Sequence, residues 1–404
     1  MKNNIKPGVK SGFDIKYWLI AVYLILFFSI LRGIRFPNIW SYTHFLFNYD
    51  YGFIKRGLIG EIVSCFNNPF LISYEFFFIC SLVILFANIF LLSLLIRTLI
   101  KSQNPVFIGC SVVFASSLAL VFLSHTVGYF DQIGLLITLI ILKINGYYKK
   151  LIYSFLLVPF ALLIHEAIFI MFFPVIFMSL LLNMGTEEQN KKKLLLGTLS
   201  AGLIILVFII SNQTLVQSDA YNMYSQLQSK IMHPLRQDAF FVLVDNLKFN
   251  LFTMKTFWAQ DQRFFQLSMS ILVTAPAFLI FIYFTSSILK KAKADYYLII
   301  LAILGSISPL LMHFVGWDMS RWNTLTVTTS FLMLYIVSST NKNQIFEASV
   351  YRYSVLLFII FLNGISSITL FDGYYVKQFP FVEHQNYILD LFNGKESFPH
   401  EPDN

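Results

Sequence analysis

Residues 151–184 read LIYSFLLVPFALLIHEAIFIMFFPVIFMSLLLNM, an almost entirely apolar run. It is much longer than the roughly 20 apolar residues that one helix needs to cross a bilayer. Basic residues flank it on both sides, Lys149-Lys150 before it and Lys191–Lys193 after it. Because basic loops stay in the cytoplasm, an even number of crossings must separate these flanks. The stretch therefore predicts a helical hairpin whose turn lies at His165-Glu166, its only acidic or basic residues.

Nine further apolar stretches are each long enough for one crossing. They lie near 17–34, 71–96, 105–123, 128–145, 194–212, 266–289, 296–315, 323–338 and 353–371. With the hairpin they predict an all-α, polytopic transmembrane helical bundle of about 11 helices. We expect the N-terminus in the cytoplasm, because the predicted cytoplasmic segments hold most of the basic residues. Five acids fall in the same segments: Asp14, Glu187, Glu188, Asp295 and Glu347.

The composition supports a membrane protein and excludes several other classes. The chain has 404 residues, of which 57% are apolar and 12% charged, whereas a soluble domain carries about 25% charged residues. This leaves too little polar surface for a soluble enzyme, a nucleic-acid binder or a disordered scaffold. The net charge of +8 is explained by basic loops that orient the helices. Three cysteines make no disulfide framework.

We interpret the chain, residues 1–404, as a single integral-membrane domain with two long outer loops. The loops span 35–70 and 213–265, and an outer tail spans 372–404. Because 213–265 alternates aromatic and aliphatic residues with polar ones, it predicts short amphipathic helices on the membrane surface.

Charged and imidazole side chains gather in four of the predicted outer connections. The connections are NYDYGFIKRGLIGE at 48–61, SHTVGYFDQ at 124–132, the His165-Glu166 turn, and HFVGWDMSRWN at 313–323. The candidate residues in them are Asp50, Lys55, Arg56, His125, Asp131, His165, Glu166, His313, Asp318 and Arg321. Ionisable groups at the edge of membrane helices are costly, so their convergence predicts a functional site at the water–lipid boundary.

Each of these groups also has a purely structural interpretation. Asp50 can cap a short helix, and Lys55 with Arg56 can contact lipid phosphates. Asp318 and Arg321 are spaced for a salt bridge within one helical turn. His165-Glu166 can be a hydrogen-bonded pair, and Phe169 stands where a zinc protease of the HExxH type needs its second histidine. The sequence therefore predicts no metal site.

The arrangement of these motifs resembles bacterial membrane glycosyltransferases of the GT-C type. The likeness lies in the first-loop acid beside aromatic and basic residues, the acid that opens GYFDQIGLLITL at 128–139, and the polar pair in LLIHEAIFIMFFP at 162–174. In size, helix number and large outer loops the chain also resembles O-antigen and capsule repeat-unit polymerases. The resemblance implies a GT-C-like fold and transfer of a sugar or oligosaccharide at the outer, periplasmic face of the bacterial inner membrane.

The resemblance also implies substrates and roles. The donor would be a polyprenyl phosphate or diphosphate sugar, the acceptor a second lipid-linked glycan, and a chain-length regulator a further partner. No cofactor and no nucleic acid are implied, and a divalent metal is optional. Asp50 would be the general base, and Asp131 and Glu166 are the next candidates for this role. His165 or His313 would orient the reacting groups.

The leaving phosphate would be held by basic side chains. Lys55, Arg56 and Arg321 are the candidates, and His313 with Asp318 completes the predicted substrate-binding set. Tyr51 and Gly52 follow Asp50, where the family often has a second acid. In a related fold that relies on outer-loop arginines, Arg236, Arg263 and Arg321 would matter more than Asp50.

Two other functions compete with glycosyl transfer. A flippase or other transporter would place ionisable groups near the bilayer midplane and would often show inverted repeats, whereas here the groups lie at the outer edge. An acyltransferase would need a histidine near a donor that enters from the cytoplasm, and this topology places none there.

Overall fold

The structure, a computed structural model, describes residues 15–185, 187–341, 350–366, 369–370, 374–375 and 378–393. The predictions for Asp14, Glu347 and much of the tail 372–404 lie outside the described residues.

The described residues are almost entirely helical. The α-helices are α1 Ile15–Gly33, α2 Ile39–Phe45, α3 Leu58–Ser64, α4 Tyr74–Lys101, α5 Pro105–Ala115, α6 Leu118–His125, α7 Asp131–Lys143, α8 Tyr147–Ile164, α9 Ile168–Leu182, α10 Gln189–Ser211, α11 Gln217–Lys230, α12 Phe241–Val244, α13 Leu247–Trp258, α14 Asp261–Lys291, α15 Tyr296–Ile307, α16 Met319–Thr340, α17 Val350–Ile365 and α18 Phe381–Phe392. Short 3-10 helices span Pro69–Ile72, Gln237–Phe240 and Ser308–Phe314. Two-residue strands β1 Thr369–Leu370 and β2 Tyr374–Tyr375 pair antiparallel, with Thr369 opposite Tyr375.

The stretch 151–184 folds as two helices joined by a tight turn. Helix α8 ends at Ile164, and His165 has extended backbone angles, φ −159° and ψ 112°. Helix α9 begins at Ile168 and packs against α8. The helix therefore breaks at His165-Glu166, where the sequence predicts the turn.

Seven helical segments within the described residues are long and apolar enough to cross a membrane. They are Ile15–Gly33, Tyr74–Lys101, Pro105–His125, Tyr147–Ile164, Gln189–Ser211, Gln262–Lys291 and Tyr296–Phe314. Ile168–Leu182 and Tyr353–Ile365 are apolar but shorter. The all-helical class is thus confirmed, several helices are suited to spanning a membrane, and the count of about 11 crossings stays a prediction.

Large apolar side chains on these helices point outward. Phe27, Phe90, Phe208, Leu272 and Phe361, from five different helices, are all more than half exposed. So much exposed apolar surface is not found on a protein surrounded by water. It is the surface that lipid chains would cover.

Helix α16 lies at the centre of the bundle and is buried from Met319 to Ser338. It packs against α14, α15 and α9, and Phe331 stacks on Phe114 of α5 with ring centroids 3.9 Å apart. Many of its residues are Ser and Thr, whose hydroxyls donate to carbonyl oxygens of the same helix, as Thr326 does to Trp322 at 2.9 Å. These bonds satisfy the hydroxyls, so a partly polar helix can occupy the core.

The helix ends at one side of the bundle carry lysines, and we call this side the lysine end, defined by Lys143, Lys150 and Lys192. The Tyr147 hydroxyl donates to the Lys192 carbonyl oxygen at 2.5 Å, which joins α8 to α10. The Lys150 ammonium donates to Ser179 Oγ at 2.6 Å, which joins α8 to α9. The Lys143 ammonium lies 5.9 Å from the ring centroid of Tyr335, which joins α7 to α16. The candidate functional residues lie at the other ends of these helices.

The two segments predicted as outer loops pack on each other. Residues 213–265 contain α11, α12, α13 and one 3-10 helix. A separate apolar cluster joins them to 35–70, and the rings of Phe47 and Phe240 lie 5.0 Å apart within it.

Candidate functional site

Arg321 is the centre of a buried ion-pair cluster. Its Nε and Nη2 donate to the two Asp131 carboxylate oxygens at 2.5 and 2.7 Å, a bidentate pair between α16 and α7. Its Nη1 donates to Asp318 Oδ2 at 2.6 Å. The guanidinium carbon also lies 5.0 Å from the ring of Tyr129 and 4.6 Å from that of Trp322. Arg321 is thus held by two carboxylates and two aromatic faces.

The cluster continues from Asp131 through the turn of the hairpin to the first outer loop. His165 Nε2 lies 3.5 Å from Asp131 Oδ1, and His165 Nδ1 lies 3.3 Å from Glu166 Oε2. Arg56 donates to Glu166 from Nη2 at 3.1 Å and from Nε at 3.4 Å. The ion-pair cluster, as we use the term, is Asp318, Arg321, Asp131, His165, Glu166 and Arg56. It connects four segments that are far apart in the sequence.

Local structure explains why the acids sit at these places. Asp131 is the first residue of α7, and Asp318 directly precedes α16. Carboxylates are stabilised near a helix N-terminus, where free N–H groups and the helix dipole are positive. The end of α8 at Ile164 then brings the His165-Glu166 turn beside Asp131.

The charges in the connections shift the titration of their neighbours. Burial and the nearby Arg56 lower the pKa of His165 below its usual value. Burial alone would raise the pKa of Glu166, but Arg56 and His165 outweigh it and lower that pKa well below its usual value. His44 of α2 lies with its Nδ1 3.5 Å from Arg56 Nη1, and burial followed by the Arg56 charge lowers its pKa as well. Near neutral pH the site therefore combines neutral imidazoles with ionised carboxylates.

A small cavity of about 20 Å³ adjoins the cluster. Its lining residues are Trp40, Ser41, His44, Arg56, Gly128, Tyr129, Phe130, His165 and Arg321. The volume fits about one water molecule, and a larger ligand would enter only after side chains move. Both guanidiniums and one imidazole of the cluster reach this space.

The structure brings together six of the predicted site residues, those of the ion-pair cluster, and leaves three apart. Asp50 is exposed on a turn, where its carboxylate accepts from the Asn48 amide at 2.8 Å. Lys55 is buried and donates to the Asp245 carbonyl oxygen, away from the cavity. His313 Nε2 lies 3.0 Å from Asn323 Oδ1.

The other residues considered from the sequence also lie outside the cluster. His125 accepts through its carbonyl oxygen from Arg35 Nε at 2.8 Å. Arg236 binds Asp238 at 2.6 Å and lies 5.8 Å from the ring of Trp40. Arg263 lies 4.8 Å from the ring of Phe257.

Sequence reasoning missed three residues that line the cavity. Trp40 and His44 belong to no quoted motif, and only their position in the first outer loop could have pointed to them. Tyr129 lies within SHTVGYFDQ, directly before Phe130-Asp131, but was not singled out. His44 shares the first loop with Arg56, which was the available signal.

No family model, curated protein or solved structure matches this chain in comparisons with known proteins. Among the described residues, no group of three His, Cys, Asp or Glu side chains is placed to hold a metal ion. The geometry of the ion-pair cluster is therefore the main guide to the function of this protein.

Proposed function

We propose that this protein is a glycosyltransferase of bacterial surface polysaccharide assembly, of the O-antigen or capsule type, and that it joins repeat units. The observation that carries the proposal is the ion-pair cluster, in which four connections meet at one end of a bundle with an apolar exterior. The resemblance to membrane glycosyltransferases of the GT-C type supports the same function.

The position of the cluster suits a lipid-linked donor. A polyprenyl diphosphate sugar keeps its isoprenoid chain in the bilayer, so its anomeric carbon lies near the headgroup plane. A site for it must therefore lie at the end of the helices and not at their middle. Arg56 and Arg321 border the cavity, and guanidinium groups bind phosphate oxygens in pairs. Trp40 also lines the cavity and supplies an aromatic ring on which a sugar ring can stack.

The proposed reaction exchanges one bond for another at the anomeric carbon. The acceptor hydroxyl oxygen attacks this carbon, the bond to the phosphate oxygen breaks, and polyprenyl diphosphate leaves. The hydroxyl proton passes to a base in the cluster, for which His165, Glu166 and Asp131 are the candidates. Because Asp50 lies apart from the cluster, the proposal assigns it no part in proton transfer.

We place the ion-pair cluster at the periplasmic face of the inner membrane and the lysine end in the cytoplasm. Lys149, Lys150 and Lys191–Lys193 support this orientation, because basic residues accumulate in cytoplasmic loops. Chemical labelling of residues at the two ends tests it.

The test of function is the lipid-linked glycan that accumulates when the gene is deleted from its host. We expect single repeat units on the polyprenyl carrier and loss of long polysaccharide. The wild-type gene and the Lys248→Gln variant, which removes an exposed charge of α13, should restore long polysaccharide. Arg56→Ala and Glu166→Gln should restore less than a tenth of it at equal protein level, since each breaks the cluster.

Other outcomes would contradict the proposal. Full polysaccharide with both cluster variants would remove the cluster from the reaction. Complete repeat units confined to the cytoplasmic leaflet would indicate a flippase, and unchanged glycolipids would exclude a role in this pathway.

A further inference from the structure

The two arginines of the ion-pair cluster are held very differently. Arg321 uses three nitrogens on two carboxylates, and two aromatic rings cover its guanidinium. Arg56 makes its only carboxylate contact in the described structure with Glu166, at 3.1 and 3.4 Å, and its other neighbour is the His44 ring at 3.5 Å. Arg321 is therefore held in place by several contacts. Arg56 would need to give up only its two hydrogen bonds to Glu166 in order to bind another anion.

The backbone at Arg56 is strained as well. Arg56 has φ 61°, in the left-handed region that residues other than glycine rarely adopt. It lies in the short connection just before α3 and not within a helix. Strained residues persist where surrounding contacts hold them, and they gather at sites that move or bind ligands. A change of contact at Arg56 thus requires little rearrangement of the bundle.

The charges show why an anionic ligand would compete for Arg56. Two guanidiniums face three carboxylates in the cluster, so both cations are already neutralised. A diphosphate that enters the cavity meets Arg56 and Arg321, together with two imidazoles that are neutral at neutral pH. It can gain a cation only by taking one from a carboxylate, and Glu166 holds its arginine less tightly than Asp131 does.

The groups around Glu166 determine the effect of such an exchange. Arg56 faces it directly and His165 lies beside it, with His44 behind Arg56 and Asp131 behind His165. The Lys55 ammonium also acts on it from the first loop. Among the described residues Arg56 is the only cation bonded to the Glu166 carboxylate. Without Arg56, Glu166 would be a carboxylate without a bonded cation, and its side chain is only 19% exposed.

We propose, on the basis of the function proposed above, that the donor diphosphate takes Arg56 away from Glu166 and that the freed Glu166 carboxylate accepts the proton of the acceptor hydroxyl. Arg56 then binds the phosphate oxygens of the leaving polyprenyl diphosphate. The hydroxyl oxygen forms the new glycosidic bond, the anomeric carbon–phosphate oxygen bond breaks, and the proton ends on Glu166. The base is thus set free only when the donor is present.

The exchange has a measurable consequence for protons. A buried carboxylate that loses its counterion binds a proton more readily, because burial disfavours the charged form. A base whose pKa approaches the working pH is also the most effective. Binding of a diphosphate should therefore raise the proton affinity of Glu166. Below the working pH part of the freed carboxylate then takes up a proton from solution, whereas at the working pH it stays ionised and can act as the base.

The experiment is calorimetric titration of the purified full-length protein in detergent with geranyl diphosphate, a soluble isoprenoid diphosphate. Titrations near pH 6 in buffers of different ionisation enthalpy give the number of protons taken up per bound diphosphate. We expect the wild type to take up more protons per bound diphosphate than Glu166→Gln does, by at most about one proton. Glu166→Gln should bind at least as tightly as the wild type, because it no longer competes with the ligand for Arg56. Lys248→Gln is the matched control and should keep the wild-type uptake.

Glu166→Asp guards against a folding defect in Glu166→Gln, because it keeps the charge and should keep the uptake. Two results would overturn the proposal: no binding of geranyl diphosphate, or equal proton uptake in the wild type and Glu166→Gln, which would place the proton on His165 or another group. The assay involves no sugar transfer. If proton uptake depends on Glu166 but the protein does not elongate polysaccharide, the exchange of Arg56 is supported and the proposed function is wrong.

Discussion

The two ends of the bundle differ in how their charged side chains are paired. At the lysine end, Lys150 donates to a serine hydroxyl and Lys192 to the carbonyl oxygen of Met184, so positive charges bind neutral groups. At the other end, every charged group of the ion-pair cluster contacts one of opposite sign. A surplus of one sign suits orientation in a membrane, whereas balanced and buried charges suit a site for chemistry.

The largest expected difference between the ends is their accessibility. Single cysteines would be introduced as Lys248→Cys in α13 and Lys149→Cys at the lysine end, after replacement of Cys65, Cys80 and Cys110. Both positions are exposed. We expect a membrane-impermeant maleimide to label position 248 in intact cells with a permeable outer membrane, and position 149 only after lysis. Labelling of both positions from one side would show that the ends do not face opposite compartments.

A second difference is the cost of removing a cation. Arg321→Met leaves the buried Asp131 carboxylate without the guanidinium that binds both of its oxygens, which should lower the free energy of unfolding by about 3–5 kcal/mol. Lys150→Met, the matched change at the lysine end, leaves no carboxylate unpaired and should cost less than about 1 kcal/mol. Thermal unfolding of both variants in detergent measures the difference. Equal losses would mean that the ion pairs of Arg321 contribute no more than the single hydrogen bond of Lys150.

The smallest expected effect is a dependence of stability on pH, which comes from Glu166. Because the folded protein lowers the pKa of Glu166, the ionised carboxylate adds stability that is fully present above its ordinary pKa near 4.3 and is lost as the pH falls through the lower folded value. Glu166→Gln should therefore reduce the Tm at pH 7 by the equivalent of about 1 kcal/mol. The difference in Tm between Glu166→Gln and the wild type should become smaller below about pH 4. The exposed Glu187→Gln at the lysine end is the control, and a gap that stays constant down to pH 3 would contradict the prediction.

The helical class and the hairpin could be predicted from sequence because they depend on local patterns. The length of 151–184, its basic flanks and its one polar pair fix two helices and the turn between them. The pairing partners could not be predicted in this way. Arg321 pairs with Asp131, 190 residues away in the sequence, and Arg56 pairs with Glu166, 110 residues away. No periodicity in the sequence relates positions so far apart. Asp50 was favoured by resemblance, yet its carboxylate has only a local partner, Asn48.

Helix α16 is enclosed by its neighbours and does not need an apolar surface of its own. Its run of threonines and serines, and Arg321 near its start, make it a poor candidate for independent insertion into lipid, where each arginine or polar residue raises the free energy of transfer. If α16 crosses the membrane as the sequence predicts, we therefore expect it to insert together with α14 and α15 and not alone. Because Arg321 of α16 supplies the cation of Asp131 at the start of α7, the ion-pair cluster is complete only when α16 has joined the earlier helices.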